Sequence, residues 1–340
     1  MTAVYLTVDT EYAFRLPGAD GPGTRAENFA RSIECATPGG AVGVFYQMDV
    51  LDRHGLKGVF FVDPMPALLW GVGAIVDVVG PIVARGHDVQ LHCHSEWLAY
   101  APAALVGGRT GRNLKDLALD DQLRILRYAR DTLIAAGAPA PVAFRAGNYG
   151  ANDDTLRALA ELDIVYDTSH CPALAGRGDG ALSLGREHLR PLAHHGLIEV
   201  PTACIGTFGR ALRHGQLTAL SHRELIAAVR HARDSGVASL TLVSHSFELL
   251  SRDRQRINRL VARRFARFCA SLAAEPGVTT GTYAANPPTI EGGGSLAPLP
   301  HAALRGGVRL AEQALGNALY GRPLRLGAQH AVVVGSALLT

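Results

Sequence analysis

Short apolar runs alternate with longer amphipathic stretches along most of the chain. The runs are rich in β-branched and aromatic residues, so each of them predicts a buried strand. The seven predicted strands are Val4–Val8, Gly58–Val62, Asp88–His92, Val142–Arg145, Ile164–Asp167, Leu197–Val200 and Ser239–Ser244.

The stretches between these runs repeat their apolar residues at helical spacing. In Asp120–Ala136, for example, Leu126 and Leu133 recur on one face. Capping residues agree, because Ser221 precedes one predicted helix and Gly137 follows another. The other predicted helices are Val42–His54, Pro81–Arg85, Asp153–Leu162, His222–Ser235 and Gln255–Ala274.

Repeated strand–helix–strand units predict a mostly parallel sheet that is covered by helices or closed into a barrel. We expect an incomplete or distorted (β/α) barrel, TIM-like, because seven strands suit a barrel better than an open sheet. In either architecture, reactive residues gather at the carboxyl ends of the strands. The polar residues at or just past these ends are Asp9, Asp63, His92, Arg145, Asp167 and His245.

Two long segments and the chain end fall outside this alternation. Tyr12–Pro38 and Leu98–Leu119 are rich in Gly, Pro and Arg, and we expect them to shape a substrate pocket. The pattern changes after residue 285, so we predict a catalytic domain at 1–285 and an extension at 286–340. The extension comprises a Pro- and Gly-rich linker (Asn286–Pro300), an amphipathic helix (His301–Tyr320) and an apolar strand-like end (Ala331–Leu339).

The amphipathic helix of the extension needs a surface to cover its apolar positions. We expect it to dock on protein, either this domain or a second subunit, rather than on a membrane surface. The extension is thus a predicted route to homo-oligomers. Its apolar positions are Leu304, Val308, Leu310, Leu315 and Leu319.

Composition narrows the class of protein. Of 340 residues, 48% are hydrophobic and 19% charged, which is enough apolar material for a sizeable core. The net charge of +3 is spread along the chain, so we expect no nucleic-acid partner. We expect no transmembrane segment and no export signal, because the apolar stretches are short and the chain begins as a strand. Five scattered cysteines without CxxC pairs indicate reduced thiols, and together these features predict a cytoplasmic protein.

Two short segments carry the candidate metal ligands. Asp9 and Glu11 share one side of a strand end, where two carboxylates repel unless a cation or a proton lies between them. His92, His94 and Glu96 recur with period two, and imidazole and carboxylate donors suit a Zn²⁺-like ion. If the chain turns after His92, Glu96 rather than His94 approaches it, so both alternatives stay open. Cys93 faces the other way in an extended segment, which indicates a core thiol.

Three further segments carry polar residues at strand ends. Arg145 begins a glycine-rich turn in which Asn148 and Tyr149 are candidate oxyanion or substrate contacts, and Arg145 itself can keep a carboxylate ionised. A histidine near a carboxylate is suited to proton transfer, and His245 with Asp167 would form such a pair. Ser244 beside His245 also suggests a serine hydrolase, but the G-x-S-x-G elbow is absent.

In this order, the segments resemble the motifs of the polysaccharide deacetylase family (carbohydrate esterase family 4, the NodB-homology domain). The family has a TFDDG-like strand end, HxxxH, RxxPY, an Asp-containing segment and a Leu-x-x-His strand end. The resemblance covers residues 1–285 and implies a divalent metal, most often zinc. The corresponding segments here are Val8–Glu11, His92–Glu96, Arg145–Tyr149, Asp167–Ser169 and Leu242–His245.

The resemblance also implies roles for individual residues. Asp9 matches the catalytic base, Arg145 the residue that orients it, and His245 the general acid that Asp167 tunes. Glu11 and His92 match metal ligands, with His94 preferred over Glu96 as the third. Asn148, Tyr149 and Trp97 are expected to contact the substrate or its oxyanion.

The chain also departs from the family pattern. Thr10 replaces the second Asp of TFDDG, the proline of RxxPY is absent, and Glu96 stands at the position of the second metal histidine. These differences indicate a divergent branch with an HxHxEW pattern. We expect a deacetylase acting on an acetylated amino sugar or a glycosylated metabolite. The alternatives are hydrolysis of a non-sugar C–N bond on the same barrel and a non-catalytic sugar-binding relative.

Overall fold

The computed structural model describes residues 1–101, 105–176, 178–290 and 297–321. Strands alternate with helices over most of these ranges, as the hydrophobic pattern predicts. The strands are β1 Thr2–Thr10, β2 Ala36–Thr37, β3 Gly40–Ala41, β4 Gly58–Val62, β5 Asp88–Cys93, β6 Ala143–Ala146, β7 Tyr166–Asp167, β8 Leu192–His194, β9 Leu197–Glu199, β10 Cys204–Gly206, β11 Leu212–His214, β12 Ser239–His245 and β13 Val278–Thr280. The α-helices are α1 Arg25–Asn28, α2 Val44–Arg53, α3 Ala67–Trp70, α4 Gly73–Ala84, α5 Leu119–Ala135, α6 Asp153–Ala160, α7 His222–Asp234, α8 Arg259–Ala273 and α9 Ala303–Tyr320.

The main sheet has the strand order β12-β1-β4-β5-β6-β7-β9-β8, and β13 pairs with β1. All pairs from β12 to β9 are parallel, and only the last pair, β9 with β8, is antiparallel. Just past β9, Thr202 forms a parallel bridge with Thr241 of β12, so the two edges of the sheet meet. The prediction of a distorted (β/α) barrel with a C-terminal helix is therefore confirmed.

Alternation along β1 separates the two layers of the core. Val4, Leu6 and Val8 pack outward against the helices. Tyr5 points inward, where its neighbours include Phe61 and other residues of a smaller apolar cluster. Since successive side chains face opposite sides of a strand, Asp9 belongs to the inner face at the open end of the barrel.

One helix begins well before its predicted start. The prediction placed it at Pro81–Arg85, directly before the strand β5. In the structure α4 includes Pro81 in its interior and buries Ile75 and Val78 against the core. Tertiary packing of that apolar face outweighs the local preferences.

The C-terminal helix α9 docks on the domain through its polar face. Arg309 is buried and its Nε lies 3.2 Å from Glu224 Oε1 of α7, while Arg264 of α8 bonds Glu312 at 2.7 Å. Leu304 is 74% exposed, so the apolar face of α9 does not cover this domain, and docking on a second subunit stays a prediction. Within the described ranges, no helix is both long and apolar enough to cross a membrane. The predicted strand-like end, Ala331–Leu339, lies outside the described residues.

Candidate active site

The strand ends of the barrel bring most of the predicted site residues together. Asp9 of β1 stands opposite His245 of β12 in the parallel register, and His92 of β5 stands opposite Arg145 of β6. Parallel strands align their carboxyl ends at one edge, so residues far apart in sequence converge there.

Glu11, His92 and His94 form a cluster of three atoms that could hold a metal ion. Glu11 Oε2 lies 2.6 Å from His94 Nε2 and 3.4 Å from His92 Nε2. All three donor atoms lie within 4.8 Å of one another. This is the ligand set, two imidazoles and one carboxylate, that catalytic zinc sites use.

The outer nitrogens of both imidazoles have their own partners. His92 Nδ1 donates to the carbonyl of Arg145 at 2.7 Å, and His94 Nδ1 donates to Glu96 Oε2 at 2.7 Å. In these tautomers the two Nε2 lone pairs face Glu11. Glu96 therefore lies behind His94 rather than beside His92, on the far side of the ring from the three donors.

The cluster fits a cation. Glu11 Oε2 is buried, and its close polar neighbours among the described residues are the Nε2 atoms of the two imidazoles. Burial would raise the pKa of Glu11, but His94 and His92 hold it well below its usual range. Burial would likewise lower the pKa of His94, yet Glu11 and Glu96 raise it well above its usual value. Three converging lone pairs need a positive charge between them, which a divalent metal would supply.

Asp9 is a buried carboxylate held by an arginine. Its Oδ1 accepts from Arg145 Nη1 at 2.6 Å, and the same Nη1 donates to Thr7 Oγ1 at 2.9 Å. The guanidinium of Arg145 is fully buried and stacks over Phe61. Burial would raise the pKa of Asp9, but Arg145, His92 and His245 lower it below its ordinary value. Asp9 is thus ionised at neutral pH.

His245 pairs with a carboxylate that the sequence analysis did not identify. Its Nε2 lies 3.8 Å from Asp9 Oδ2, and its Nδ1 donates to Glu248 Oε1 at 3.0 Å. Burial would lower the pKa of His245, but Glu248, then Asp9 and Glu11, raise it to about 9. The signal in the sequence is an acidic residue three positions after a strand-end histidine.

The predicted pairing of Asp167 with His245 is wrong. Asp167 Oδ1 accepts from Ser169 Oγ at 2.7 Å, and Asp167 also pairs with Glu199 of the neighbouring strand. Burial and Asp167 hold the pKa of Glu199 well above its usual range, so this pair retains a proton. Glu248 follows His245 by three residues in the loop after β12 and lies within hydrogen-bond distance of it, which is why it takes the place beside the histidine.

Asn148 and Tyr149 lie in a constrained turn directly after β6. Both have a left-handed backbone, with φ of 56° and 55°. Such a conformation costs free energy in a residue with a side chain, so the surrounding structure must enforce it. Both residues line a small cavity together with Ser169, His170 and Cys171. Burial raises the pKa of Tyr149 well above its usual value, so its hydroxyl keeps its proton.

Trp97 belongs to the core and not to a substrate surface. It is 0% exposed and its ring packs edge-on against Trp70 and Phe14. The expectation that Trp97 contacts a substrate is therefore wrong, because the turn after β5 directs its side chain into an aromatic cluster of the core. The cysteines are free, in agreement with the predicted reduced thiols, and Cys93 is buried as expected.

Asp63, at the end of β4, lies beside the cluster as its strand-end position indicates. Its Oδ1 accepts from the backbone amide of Met65 at 3.0 Å and lies 3.4 Å from the amide nitrogen of His94. Its Oδ2 is buried and has no hydrogen-bond partner among the described residues. Burial raises the pKa of Asp63 to about 6. Because this value is still below neutral pH, Asp63 is mostly ionised at pH 7, and its negative charge helps to raise the pKa of His94.

Comparison with known proteins identifies the fold. No family model and no curated protein matches this sequence. A protein assigned as a polysaccharide deacetylase from Mycobacterium smegmatis has a similar structure, with a TM-score of 0.52 and 20% identity over 86% of this chain and 94% of that chain. A family 4 carbohydrate esterase from Streptomyces lividans gives a TM-score of 0.40 at 12% identity, over 83% and 92% of the two chains. A family 4 pseudoenzyme from Bacillus anthracis gives 0.40 at 10% identity, over 82% and 63%.

Proposed function

Because the chain has the fold of a polysaccharide deacetylase, we propose that it is a metal-dependent hydrolase that removes an N-acetyl or similar acyl group from an amino sugar or a sugar-containing metabolite. The observation that carries this proposal is the cluster of Glu11, His92 and His94 beside two oppositely charged groups, Asp9 and His245. One edge of the barrel thus offers a cation site, a base and an acid.

Glu11, His92 and His94 would hold the metal, with zinc as the proposed ion. When bound, the ion supplies Lewis-acid polarisation of the amide carbonyl. Glu96 holds the His94 ring in the required tautomer through its 2.7 Å hydrogen bond, and the carbonyl of Arg145 does the same for His92.

Proton transfer is the task of Asp9 and His245. Arg145 occupies Asp9 Oδ1, so Oδ2 is the oxygen that takes a proton from the attacking water. His245, kept protonated by Glu248, gives its Nε2 proton to the leaving nitrogen. The base and the acid are adjacent, with 3.8 Å between Asp9 Oδ2 and His245 Nε2. Asn148 and Tyr149 are proposed to contact the substrate or its oxyanion.

Replacing the base tests this assignment. Asp9→Asn should lower kcat for acetate release from N-acetylated amino sugars by about a hundredfold or more, because general-base catalysis is lost. The same variant should still bind one zinc ion in elemental analysis. Asp131→Asn, at an exposed position on α5, is the matched control and should keep wild-type activity. Full activity of the Asp9 variant would refute the assignment.

Two alternatives give different results in the same experiments. A non-catalytic sugar-binding relative would release no acetate and would bind no zinc, even when zinc is added. An enzyme for a non-sugar C–N bond would bind zinc but leave every acetylated amino sugar unchanged. The substitution of Thr10 for the family's second Asp motivates the first alternative.

A further inference from the structure

An arginine lies one aromatic ring away from the proposed general acid. The guanidinium carbon of Arg254 is 3.6 Å from the centroid of the Phe247 ring. The ring of Phe247 is in turn 5.4 Å from the ring of His245. The loop after β12 therefore places a stacked cation at the border of the catalytic centre.

Arg254 has no carboxylate within salt-bridge distance among the described residues. Three titratable groups act on it. Glu11 is already engaged by His92 and His94, Cys35 is a buried thiol, and Arg31 has the same sign and bonds Glu27. Arg254 is partly buried, and this burial lowers its pKa. A cation partly removed from water without a counter-ion costs free energy, which a bound anion would offset.

The loop holds this arginine in a strained backbone conformation. Arg254 has φ of 55°, a left-handed value that is unfavourable for a residue with a side chain. The turn is closed by the Ser251 amide, which donates to the Arg256 carbonyl at 2.7 Å. Asp253 Oδ1 accepts from Ser251 Oγ at 2.6 Å, so this neighbouring carboxylate stabilises the loop. The guanidinium is thus positioned before any ligand arrives.

Arg145, the fully buried arginine of the centre, is committed to Asp9 and Thr7. Arg254 is differently placed, because its side chain is partly exposed and has no salt-bridge partner among the described residues. We propose that Arg254 binds an oxyanion carried by the substrate, a phosphate or a carboxylate, close to the acyl–nitrogen bond. A guanidinium suits either group, because its planar N–H fork forms paired hydrogen bonds with two oxygens. The substrate class is then an anionic N-acyl amino sugar, and this inference rests on the proposed function.

Calorimetric titration of the zinc-loaded full chain tests the inference through binding rather than turnover. The probes are N-acetylglucosamine, N-acetylglucosamine 1-phosphate and N-acetylmuramic acid. One of the two anionic probes should bind at least about tenfold tighter than the neutral sugar, and which one does so identifies the anion. Equal affinity for all three probes would overturn the inference.

Variants separate a built site from general charge attraction. Arg254→Met should abolish the preference for the anion, and Arg254→Lys should restore part of it, because the charge returns without the fork. Arg252→Met, an exposed residue of the same loop, is the matched control and should keep the full preference. The inference fails if Arg252→Met weakens anion binding as much as Arg254→Met does. Because Arg254→Lys keeps the charge and the aliphatic part of the side chain, the anion preference can still be measured in this variant if Arg254→Met does not fold.

Acetate release, measured separately, distinguishes this inference from the proposed function. If an anionic probe binds through Arg254 and no probe loses acetate, the anion site stands and the deacetylase assignment fails. If all three probes lose acetate equally and Arg254→Met changes none of these rates, the deacetylase assignment stands and the anion site fails.

Discussion

The hydrogen bond between His245 and Glu248 determines the pH range in which the proposed acid is protonated. With the pKa of His245 raised to about 9, the imidazolium form persists above neutral pH and is lost as pH rises through that value. We predict that kcat falls on the alkaline side near pH 9. Glu248→Gln removes the principal charge that raises this pKa, so the alkaline limb should move to lower pH by about one unit or more.

Measured pH–rate profiles of the wild type and Glu248→Gln check this prediction. Glu187→Gln is a suitable control, because Glu187 also lies beside a histidine, His188, but is exposed and outside the centre. An alkaline limb that stays in place in Glu248→Gln would show that another group controls the acid.

Glu96 offers a second test at the residue scale. If it acts behind His94, Glu96→Gln should weaken zinc binding by about 10- to 100-fold, as loss of an outer partner of a metal ligand usually does. Glu11→Gln, which removes a direct ligand, should weaken it far more. Competition titrations with a chelating indicator measure both affinities. Equal losses in the two variants would instead make Glu96 a direct ligand.

Strand alternation is why part of the site could be predicted from the sequence. Asp9 near the end of β1 and Glu11 directly after it were predicted on one side, and the structure brings both beside His92, so local geometry was sufficient. Glu248 and Arg254 could not be predicted, because their positions depend on how the loop after β12 folds back. The prediction that Trp97 contacts the substrate was wrong for a related reason. Nothing in the local sequence distinguishes a buried indole from one that faces a ligand.

At the scale of elements, helix α9 depends on a buried ion pair. Arg309 and Glu224 are 7% and 4% exposed, and Glu224 also caps the start of α7. Arg309→Ala leaves that carboxylate buried without its counter-ion, so the free energy of unfolding should fall by about 3 kcal/mol. Urea unfolding followed by circular dichroism measures the change.

The control for this substitution lies on the same helix. Arg305 donates to the Pro300 carbonyl near the surface, and Arg305→Ala should cost less than about 1 kcal/mol. Similar losses for both variants would mean that helix propensity, and not the ion pair, governs stability. The exposed leucines on the opposite face of α9 support the prediction that the extension mediates homo-oligomerisation, which sedimentation equilibrium of the full chain can test.

The long central strands were predictable because each is a buried apolar run that must be extended wherever it lies in the sheet. β8, β10 and β11 were not, because their residues do not belong to an apolar run; β9 is equally short but lies in the apolar run Leu197–Val200. β8 pairs with β9, and β10 with β11, in short antiparallel hairpins, so pairing rather than an apolar run determines their conformation. The start of α4 was also missed because of tertiary context, since burial of its β-branched face overrides the local preference of those residues for strands.

For the whole molecule, two buried histidines predict a loss of stability in acid. Burial lowers the pKa of both His87 and His170 to about 4. The unfolded chain, with histidine pKa near 6.5, therefore binds more protons than the folded chain between about pH 6.5 and pH 4. The free energy of unfolding should fall as pH decreases through this window, by about 1–2 kcal/mol for each histidine.

Urea unfolding at pH 7 and pH 5 tests this linkage. His170→Gln removes one of the two groups, so its stability should depend less steeply on pH than that of the wild type. His54→Gln, at a half-exposed position, should leave the pH dependence unchanged. Stability that is constant or greater at pH 5 would contradict the prediction.

Two isolated bridges among the described residues, Thr202 with Thr241 and Gln216 with Val243, close the barrel along one side of β12, which forms a seam. The other side of β12 is joined to β1 by seven residue pairs, so amide exchange in the native state should be fastest along the seam. His245 lies at the end of the strand that borders it, whereas His92 lies in the continuous part of the ladder. We therefore expect β12, which carries His245, to adjust to substrates of different size while the cluster of Glu11, His92 and His94 keeps its geometry. Substitutions along the seam would then change substrate preference without loss of the metal.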